Sequence, residues 1–263
     1  MSSSALNLLA FDLGAESGRA ILGQFDGQRI SLSDLHRFAN TPVPLPDGLH
    51  WNVLGLWSEI RTGLAKAVQM TEGNLAGLGL DTWGVDFGLL DRRGVLLGNP
   101  YHYRDSRTDG MMEAVFARIP REEVFAQTGI QFMQLNTLYQ LMAMSLAGDP
   151  ALAAAETFLT IPDLLNYWLT GRKVCEFTNA TTTQCYDPRR KTWARPLLER
   201  LGIPTGMFPE IIQPGTVLGE LRGAVAEEAG AGSLPVIAPA CHDTGSAVAA
   251  VPAREADFVW ISS

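Results

Sequence analysis

Three apolar segments of this 263-residue chain each run directly into a cluster of acidic and small residues. The first cluster is Asp12-Leu-Gly-Ala-Glu-Ser-Gly-Arg19, the second is Asp81-Thr-Trp-Gly-Val-Asp-Phe87, and the third is Ala240-Cys-His-Asp-Thr-Gly-Ser246. Open α/β sheets keep their ligands at the carboxyl ends of their strands, which is where such clusters would meet. The pattern therefore predicts an α/β protein with a ligand site along one edge of its sheet.

Short apolar runs bounded by turns, and apolar residues at helical spacing, predict the elements around these clusters. Strands are predicted over 6–11, 20–25, 30–38, 78–82, 85–91, 234–238 and 257–261, with Asp26-Gly27 as a hairpin turn. Helical structure is predicted over 51–70, 109–148, 162–169, 195–201 and 243–251. Residues 41–48 and the threonine-rich segment 178–184 are predicted to be loops.

The charge distribution argues against a nucleic-acid partner or an anionic membrane surface. The net charge is −8, and no run of lysine and arginine is longer than a pair. A basic stripe is what either partner would require. A small phosphorylated ligand is still compatible, because backbone amides can bind phosphate inside an acidic protein.

The chain also lacks the signals of export and of membrane insertion. The uncharged stretch over 124–148 contains five glutamine and asparagine amides, each of which would need a partner in lipid. The start, Met1-Ser-Ser-Ser, has no basic region typical of a signal peptide. Three cysteines without metal-ligand spacing, Cys175, Cys185 and Cys241, indicate reduced thiols and a cytoplasmic location.

Each cluster has a functional and a structural interpretation. The turn after Asp12 could bind phosphate through its N–H groups, with Asp12 holding a hydrated Mg²⁺, or it could be a plain turn. Buried carboxylates in the second cluster are costly unless used or paired, and Gly84 would let a ligand approach the backbone; alternatively Asp81 caps a loop and Trp83 is core. Asp243, near a helix N-terminus, could take a proton from a sugar hydroxyl or could simply cap the helix.

With these clusters identified, the whole chain resembles the FGGY family of carbohydrate kinases. Further stretches carry the resemblance: Tyr103-Arg-Asp-Ser-Arg107, Gly129-Ile-Gln-Phe132, Asn136-Thr-Leu-Tyr-Gln140, Thr178-Asn-Ala-Thr-Thr-Thr-Gln184 and His242-Asp-Thr244. The resemblance implies an actin-like ATPase (RNase H-like) fold of two lobes with the active site between them. Residues 1–252 would be the N-terminal, sugar-binding lobe, and 253–263 the opening strand of a second, ATP-binding lobe.

The resemblance also implies a reaction, the transfer of the γ-phosphoryl group of Mg·ATP to a hydroxyl of an open-chain ketose. Asp243 would be the catalytic base, and Gly84, His242, Asp243 and Thr244 would contact the sugar. Ala15, Glu16, Ser17, Gly18 and Arg19 would lie along the ATP phosphates, and Asp12 would hold Mg²⁺ through water. The Trp-Gly-Val-Asp-Phe and Asn-Ala-Thr-Thr-Thr-Gln stretches resemble those of family members that convert L-rhamnulose to its 1-phosphate.

Two departures from the family pattern shape the expectation. Glu16 stands where other members often carry a small hydroxyl residue, so phosphate contacts there are expected from the backbone. The family continues beyond the terminal Ser-Ser into a whole second lobe, so we expect a longer parent protein, monomeric when complete, and an inactive isolated chain. Alternatives are a sibling kinase acting on xylulose, ribulose or glycerol, a non-catalytic sugar-binding actin-like domain, and a hydrolase using Asp12 and Asp243.

The segment Arg104-Asp-Ser-Arg107 is interpreted as a local ion-pair turn, although Arg104 could reach a sugar.

Overall fold

A six-stranded mixed sheet lies at the centre of the computed structural model, which describes residues 5–255 and 257–261. From one edge to the other its strands are β3 (Ile30–Ala39), β2 (Ser17–Phe25), β1 (Leu6–Leu13), β6 (Gly77–Thr82), β14 (Pro235–Ala238) and β13 (Thr216–Glu220). The β1–β2, β2–β3 and β13–β14 pairs are antiparallel, whereas β6 runs parallel to both β1 and β14. The carboxyl ends of β1, β6 and β14 therefore reach the same edge.

Shorter strands form pairs outside this sheet. They are β4 (Val43–Leu45) with β5 (Gly48–His50), β7 (Phe87–Leu90) with β8 (Thr157–Thr160), β9 (Cys175–Glu176) with β12 (Ile211–Ile212), and β10 (Tyr186–Asp187) with β11 (Thr192–Trp193). The α-helices are α1 (Val53–Met70), α2 (Met111–Phe116), α3 (Arg121–Thr128), α4 (Thr137–Ala147), α5 (Pro150–Ala154), α6 (Ile161–Thr170), α7 (Phe177–Thr182), α8 (Arg195–Arg200), α9 (Gly223–Ala229) and α10 (Asp243–Ala249). A 3₁₀ turn covers Ser106–Thr108.

One face of the sheet is covered by α1 and α6. Apolar residues recur along α1 at helical spacing, so Ile60 and Leu64 are fully buried against alternate residues of the sheet such as Phe11 and Leu80. The two helices meet through Trp57 and Trp168, whose ring centroids are 5.6 Å apart. A second apolar cluster surrounds β7 and β8 and includes side chains of α2, α4 and α8.

The structure confirms most of the predicted elements. The hairpin turn at Asp26-Gly27 forms, with Gly27 at a φ of 99°, which glycine adopts without strain. The predicted long helix corresponds to α1, and the helical region 109–148 is divided into α2, α3 and α4. The segments predicted as helices at 162–169, 195–201 and 243–251 correspond to α6, α8 and α10.

Four expectations are wrong in detail. Residues 41–48 are not one loop, because β4 and the start of β5 form a small hairpin there. The strand predicted over 85–91 begins only at Phe87 and pairs with β8, so Asp86 lies outside the central sheet. Residues 178–184 are largely helical, because a buried carboxylate just before α7 binds its first N–H groups. Residues 257–261 form no strand, since a strand needs a ladder partner; Ser262 and Ser263 lie outside the described residues.

Candidate active site

The three clusters meet at the shared edge of the sheet. Asp12 on β1 stands directly beside Asp81 on β6 in the parallel ladder. Beyond the ends of these strands, the N–H of Trp83 donates to the carbonyl of Leu13 over 3.3 Å, and the N–H of Thr82 donates to the carbonyl of Cys241 over 2.9 Å. The convergence predicted from the strand ends is therefore present.

The turn between β1 and β2 is tighter than predicted. The N–H of Gly14 donates to the carbonyl of Ser17 within the turn, at 2.9 Å. Residues Ser17 to Arg19 already belong to β2. Only glycine fits at position 18, because a Cβ would lie 2.4 Å from the ring of Phe38. Buried Asn40, which sequence reasoning missed, fixes the turn by donating to the carbonyls of Gly14 and Glu16, each at 2.9 Å. Ala15 and Glu16 form its tip.

Three charged groups gather below this turn. The carboxylate of Asp12 pairs with Arg19, its cross-strand neighbour on β2, and this hydrogen bond raises the pKa of Arg19. Burial, together with the carboxylates of Asp12 and Asp243, raises the pKa of Asp81 to about 7. Its Oδ1 is a buried atom with no hydrogen-bond partner among the described residues. Mg²⁺ is commonly held by one or two carboxylates while keeping several waters, so this pair of aspartates fits a hydrated cation.

Asp243 is the first residue of α10, and His242 is the N-cap. The carboxylate Oδ1 accepts hydrogen bonds from the N–H of Thr244 at 2.6 Å and from the Thr244 hydroxyl at 3.2 Å. The Nε2 atom of His242 lies 3.4 Å from the same oxygen. The pKa of His242 is lowered because burial disfavours the charged imidazole, against the opposing effect of Asp243. Thr244 thus holds Asp243 in one orientation.

Helix α7 joins the second and third clusters, a role that sequence reasoning missed. Glu176, fully buried, caps the helix by accepting from the N–H groups of Thr178 and Asn179, and it also accepts from the N–H of Cys241 at 3.0 Å. The Thr178 hydroxyl in turn accepts from the N–H of His242 at 3.1 Å. The threonines that suggested a loop instead supply hydroxyls that fix neighbouring backbone.

A second contact of α7 shapes the backbone at Gly84. The Thr182 hydroxyl accepts from the N–H of Val85 at 2.9 Å, and a Cβ on Gly84 would lie 2.8 to 3.0 Å from the Thr182 side chain. A glycine is therefore required for this close approach. The sequence predicted that a ligand approaches Gly84 closely; in the folded chain the side chain of Thr182 makes this close approach.

An open cavity of about 620 Å³ lies against these residues. Of the sequence-predicted site residues, Gly84, His242 and Asp243 line it, whereas Thr244, Asp12 and the Ala15–Arg19 segment do not. The other lining residues are Trp83, Val85, Tyr103, Arg104, Ile130, Gln131, Met133, Leu135, Asn136, Thr181 and Thr182.

The segment interpreted as a local ion-pair turn is divided between two environments. Arg104 faces the cavity, whereas Arg107 turns inward, its Nε lying 3.9 Å from Asp105. The only sequence signal for Arg104 was its position in a short charged segment.

The cysteines are consistent with a structural role. All three are free and buried, and burial raises the pKa of the Cys241 thiol, which disfavours a nucleophilic thiolate beside His242. Among the residues that the structure describes, no helix is both long and apolar enough to span a bilayer.

Comparison with solved structures defines the fold. A carbohydrate kinase from Novosphingobium aromaticivorans superposes with a TM-score of 0.80 at 23% identity, covering 94% of this chain and 50% of that one. A gluconate kinase from Lactobacillus acidophilus gives a TM-score of 0.79 at 17% identity, covering 89% and 47%. The chain has the fold of about half of each of these proteins, the N-terminal lobe of the actin-like ATPase fold.

Sequence comparison gives the family. Residues 7–250 match the N-terminal domain of the FGGY family of carbohydrate kinases, and the chain belongs to this family. The rhamnulokinase of Oceanobacillus iheyensis is 45% identical over 255 residues, which are 97% of this chain and 54% of the relative. That of Bacteroides thetaiotaomicron is 44% identical over 257 residues, 98% and 53% of the two chains. The chain spans about half the length of these curated relatives.

Proposed function

We propose that the complete protein phosphorylates a ketose at the expense of ATP, with L-rhamnulose as substrate and L-rhamnulose 1-phosphate as product. Support for the substrate is the similarity of nearly the whole chain to relatives named rhamnulokinase. The observation that carries the proposal is the carboxylate of Asp243 facing the cavity at the start of α10. The cavity is large enough for an open-chain six-carbon sugar.

Asp243 has the environment that a general base needs. As the sugar hydroxyl oxygen forms a bond to the γ-phosphorus, the bond from that phosphorus to the β–γ bridging oxygen breaks and the hydroxyl proton passes to the Asp243 carboxylate. Thr244 donates two hydrogen bonds to Oδ1 and thereby orients the carboxylate toward the reacting hydroxyl. In this proposal neutral His242 and Gly84 contact the sugar directly, whereas Thr244, which does not line the cavity, acts on the sugar through Asp243.

The phosphate side of the reaction falls to the first cluster. We place the ATP phosphates along Ala15, Glu16, Ser17, Gly18 and Arg19, where the exposed tip of the turn leaves backbone accessible. Asp12 would hold Mg²⁺ through water. Asp81, whose Oδ1 has no hydrogen-bond partner among the described residues, lies next to Asp12 in the β1–β6 ladder. When bound, the cation neutralises charge on the transferring phosphoryl group. In this proposal residues 1–252 form the sugar-binding lobe and residues 253–263 lead into an ATP-binding lobe.

The surroundings of the complete protein are part of the same proposal. Three free, buried cysteines fit a reducing compartment, which favours the cytoplasm. The small-molecule reaction requires no second subunit, so we propose a monomer. The acidic net charge of −8 disfavours a nucleic-acid partner.

A substrate panel tests the proposed function. ADP release by the complete protein is measured with L-rhamnulose, xylulose, ribulose and glycerol at equal concentrations, and the sugar product is examined for phosphate at C1. We expect kcat/KM for L-rhamnulose to exceed the others by about tenfold or more. A preference for xylulose, ribulose or glycerol would assign the chain to a sibling kinase. Binding of the sugar without ADP release from any substrate would indicate a non-catalytic domain.

A further inference from the structure

A buried carboxylate stands directly behind the sugar cavity. Asp86 is 1% exposed and is not part of the cavity lining. Its Oδ2 accepts hydrogen bonds from the indole N–H groups of Trp51 at 2.6 Å and Trp83 at 2.9 Å, and the two rings stack with centroids 4.0 Å apart. Trp83 forms part of the cavity wall. One oxygen of Asp86 thus fixes the orientation of a wall residue.

The other oxygen of Asp86 begins a directed chain of hydrogen bonds. Asp86 Oδ1 accepts from Nε2 of Gln140 at 2.8 Å, and Oε1 of Gln140 accepts from the Arg107 guanidinium at 2.8 Å. The orientation of the amide is defined, because its donor faces a carboxylate and its acceptor faces a cation. Arg107 is itself held, stacked on the ring of Tyr101 at 3.8 Å. The chain therefore runs from a mostly buried positive charge to a buried negative one.

Gln140 and the nearby Thr137 both contact a strained backbone turn in the cavity wall. Val85 has a φ of 68°, unfavourable for a β-branched residue, and the N–H of Asp86 donates to the carbonyl of Gly84 at 2.9 Å, as in the rare γ-turn with positive φ. The carbonyl of Val85 accepts from the Thr137 hydroxyl at 2.5 Å and from Gln140 Nε2 at 3.4 Å. Such strain persists only where the surroundings over-determine it, and it concentrates at functional sites.

We propose that Arg107, Gln140 and Asp86 form a positioning relay that sets the sugar-binding wall, with none of the three touching the sugar from its place in the relay. The relay fixes the indole of Trp83 on one side and the Gly84–Val85 turn on the other, so it determines how the ketose lies against Asp243. This inference rests on the proposed function of the cavity. Both oxygens of Asp86 accept hydrogen bonds from N–H donors, as those of an ionised carboxylate do, while burial raises the pKa of this group to about 6.

Variants that move the negative charge from position 86 to position 140 can distinguish a positioning role from simple packing. In Asp86→Asn the new side-chain NH₂ group faces the NH₂ group of Gln140, so two donors oppose each other. Rotating the Gln140 amide by half a turn would relieve this, but it would turn the Gln140 NH₂ group toward the Arg107 guanidinium. In Gln140→Glu two carboxylates face each other. The double variant Asp86→Asn with Gln140→Glu restores the hydrogen bonds within the relay, because the glutamate accepts from both Arg107 and the asparagine amide while the asparagine oxygen accepts from both indoles. It does not replace the donations of Gln140 Nε2 to the carbonyls of Leu135 at 3.0 Å and Val85 at 3.4 Å. Its negative charge has merely moved one residue toward Arg107.

The measurements are KM for L-rhamnulose and KM for Mg·ATP in the complete protein, with dissociation constants for L-rhamnulose from calorimetry. We expect each single variant to raise the sugar KM by about ten- to a hundredfold, and the double variant to have a lower sugar KM than either single variant. The KM for Mg·ATP should stay within about threefold throughout. Leu198→Ala serves as a control for lost stability. Leu198 lies on α8 and is fully buried in the second apolar cluster, so this variant should leave the sugar KM unchanged.

Each result bears on the proposal. An unchanged sugar KM in Asp86→Asn, or a folded double variant whose sugar KM is no lower than that of either single variant, would overturn the proposal, as would an equal increase in Leu198→Ala. If the single variants fail to fold, recovery of both folding and sugar KM in the double variant, with Leu198→Ala unaffected in KM, supports the relay. The proposed function has a separate test: it would be contradicted if the unaltered protein neither binds nor phosphorylates L-rhamnulose.

Discussion

The side chains that join α1 to the sheet and those that surround Asp86 are equally buried, but different forces hold them. Ile60 on α1 is 0% exposed among aliphatic and aromatic neighbours, where contact is non-directional and depends on filled volume. Asp86 is 1% exposed among donors that each point at one of its oxygens. Loss of volume in the first region weakens the fold without redirecting any group. Loss of one partner in the second changes the shape of the cavity wall.

Among the substitutions in the polar region, we expect Glu176→Ala to cause the largest loss of stability. Glu176→Ala leaves buried N–H groups of α7 and of Cys241 without an acceptor, so we expect the free energy of unfolding to fall by about 4 kcal/mol or more. Chemical denaturation of the 263-residue chain measures this loss. Glu156→Ala removes an exposed carboxylate and should change stability by less than about 0.5 kcal/mol. Equal losses in the two variants would refute the role of Glu176.

Ile60→Ala breaks the apolar region instead. The substitution leaves a cavity beneath α1, and we expect the free energy of unfolding to fall by about 3 kcal/mol. Because α1 supplies no residue to the sugar cavity, KM for L-rhamnulose in the complete protein should remain unchanged. A marked rise in the sugar KM would show that the sheet and the cavity wall are coupled, contrary to the distinction drawn above.

Gly84→Ala should show the opposite combination. The added Cβ presses on Thr182, which must move away from the N–H of Val85, so we expect a stability loss of only about 1–2 kcal/mol with an approximately tenfold rise in the sugar KM. Steady-state kinetics and denaturation of the same preparation check both halves. Gly206→Ala, where a Cβ would meet nothing within 4 Å, is the matched control and should alter neither quantity.

A final prediction concerns pH. Burial raises the pKa of Asp163 to about 7, so between about pH 4 and pH 7 the folded chain holds a proton that the unfolded chain has released, and stability falls as the pH rises. Asp163→Asn should make this decline shallower, as measured by denaturation at a series of pH values. Asp26, whose pKa is lowered by backbone hydrogen bonds from Arg29 and Gln28, acts in the opposite sense, because its contribution is lost on acidification. A pH dependence unaltered by Asp163→Asn would contradict the assignment.

The two regions also differ in how far sequence could predict them. Short apolar segments located β1, β6 and β14 to within a few residues, and the carboxyl ends of parallel strands brought Asp12, Asp81 and His242-Asp243 together as expected. These features follow from local periodicity and one topological rule.

The polar region could not be predicted in this way. Gln140 bonds Asp86 across 54 residues and Arg107 across 33, and no spacing rule connects such pairs. The threonines of α7 favour loops and turns when judged by propensity, and buried Glu176 reverses that preference through tertiary contacts. The resemblance to a known family identified the Gly84 and His242–Thr244 segments, but not the relay behind them.

The most direct test of the account is the rate of L-rhamnulose-dependent ADP release by the complete protein carrying Asp243→Asn. Asparagine keeps the shape of the side chain and an oxygen for Thr244 but cannot accept the sugar proton, so we expect kcat to fall by about 10²–10⁴-fold. Calorimetric affinity for L-rhamnulose should remain close to that of the unaltered protein. Asp26→Asn, at the opposite edge of the sheet, should retain full turnover. Near-normal kcat in Asp243→Asn would contradict the assignment of Asp243 as the base and of this cavity as the catalytic site.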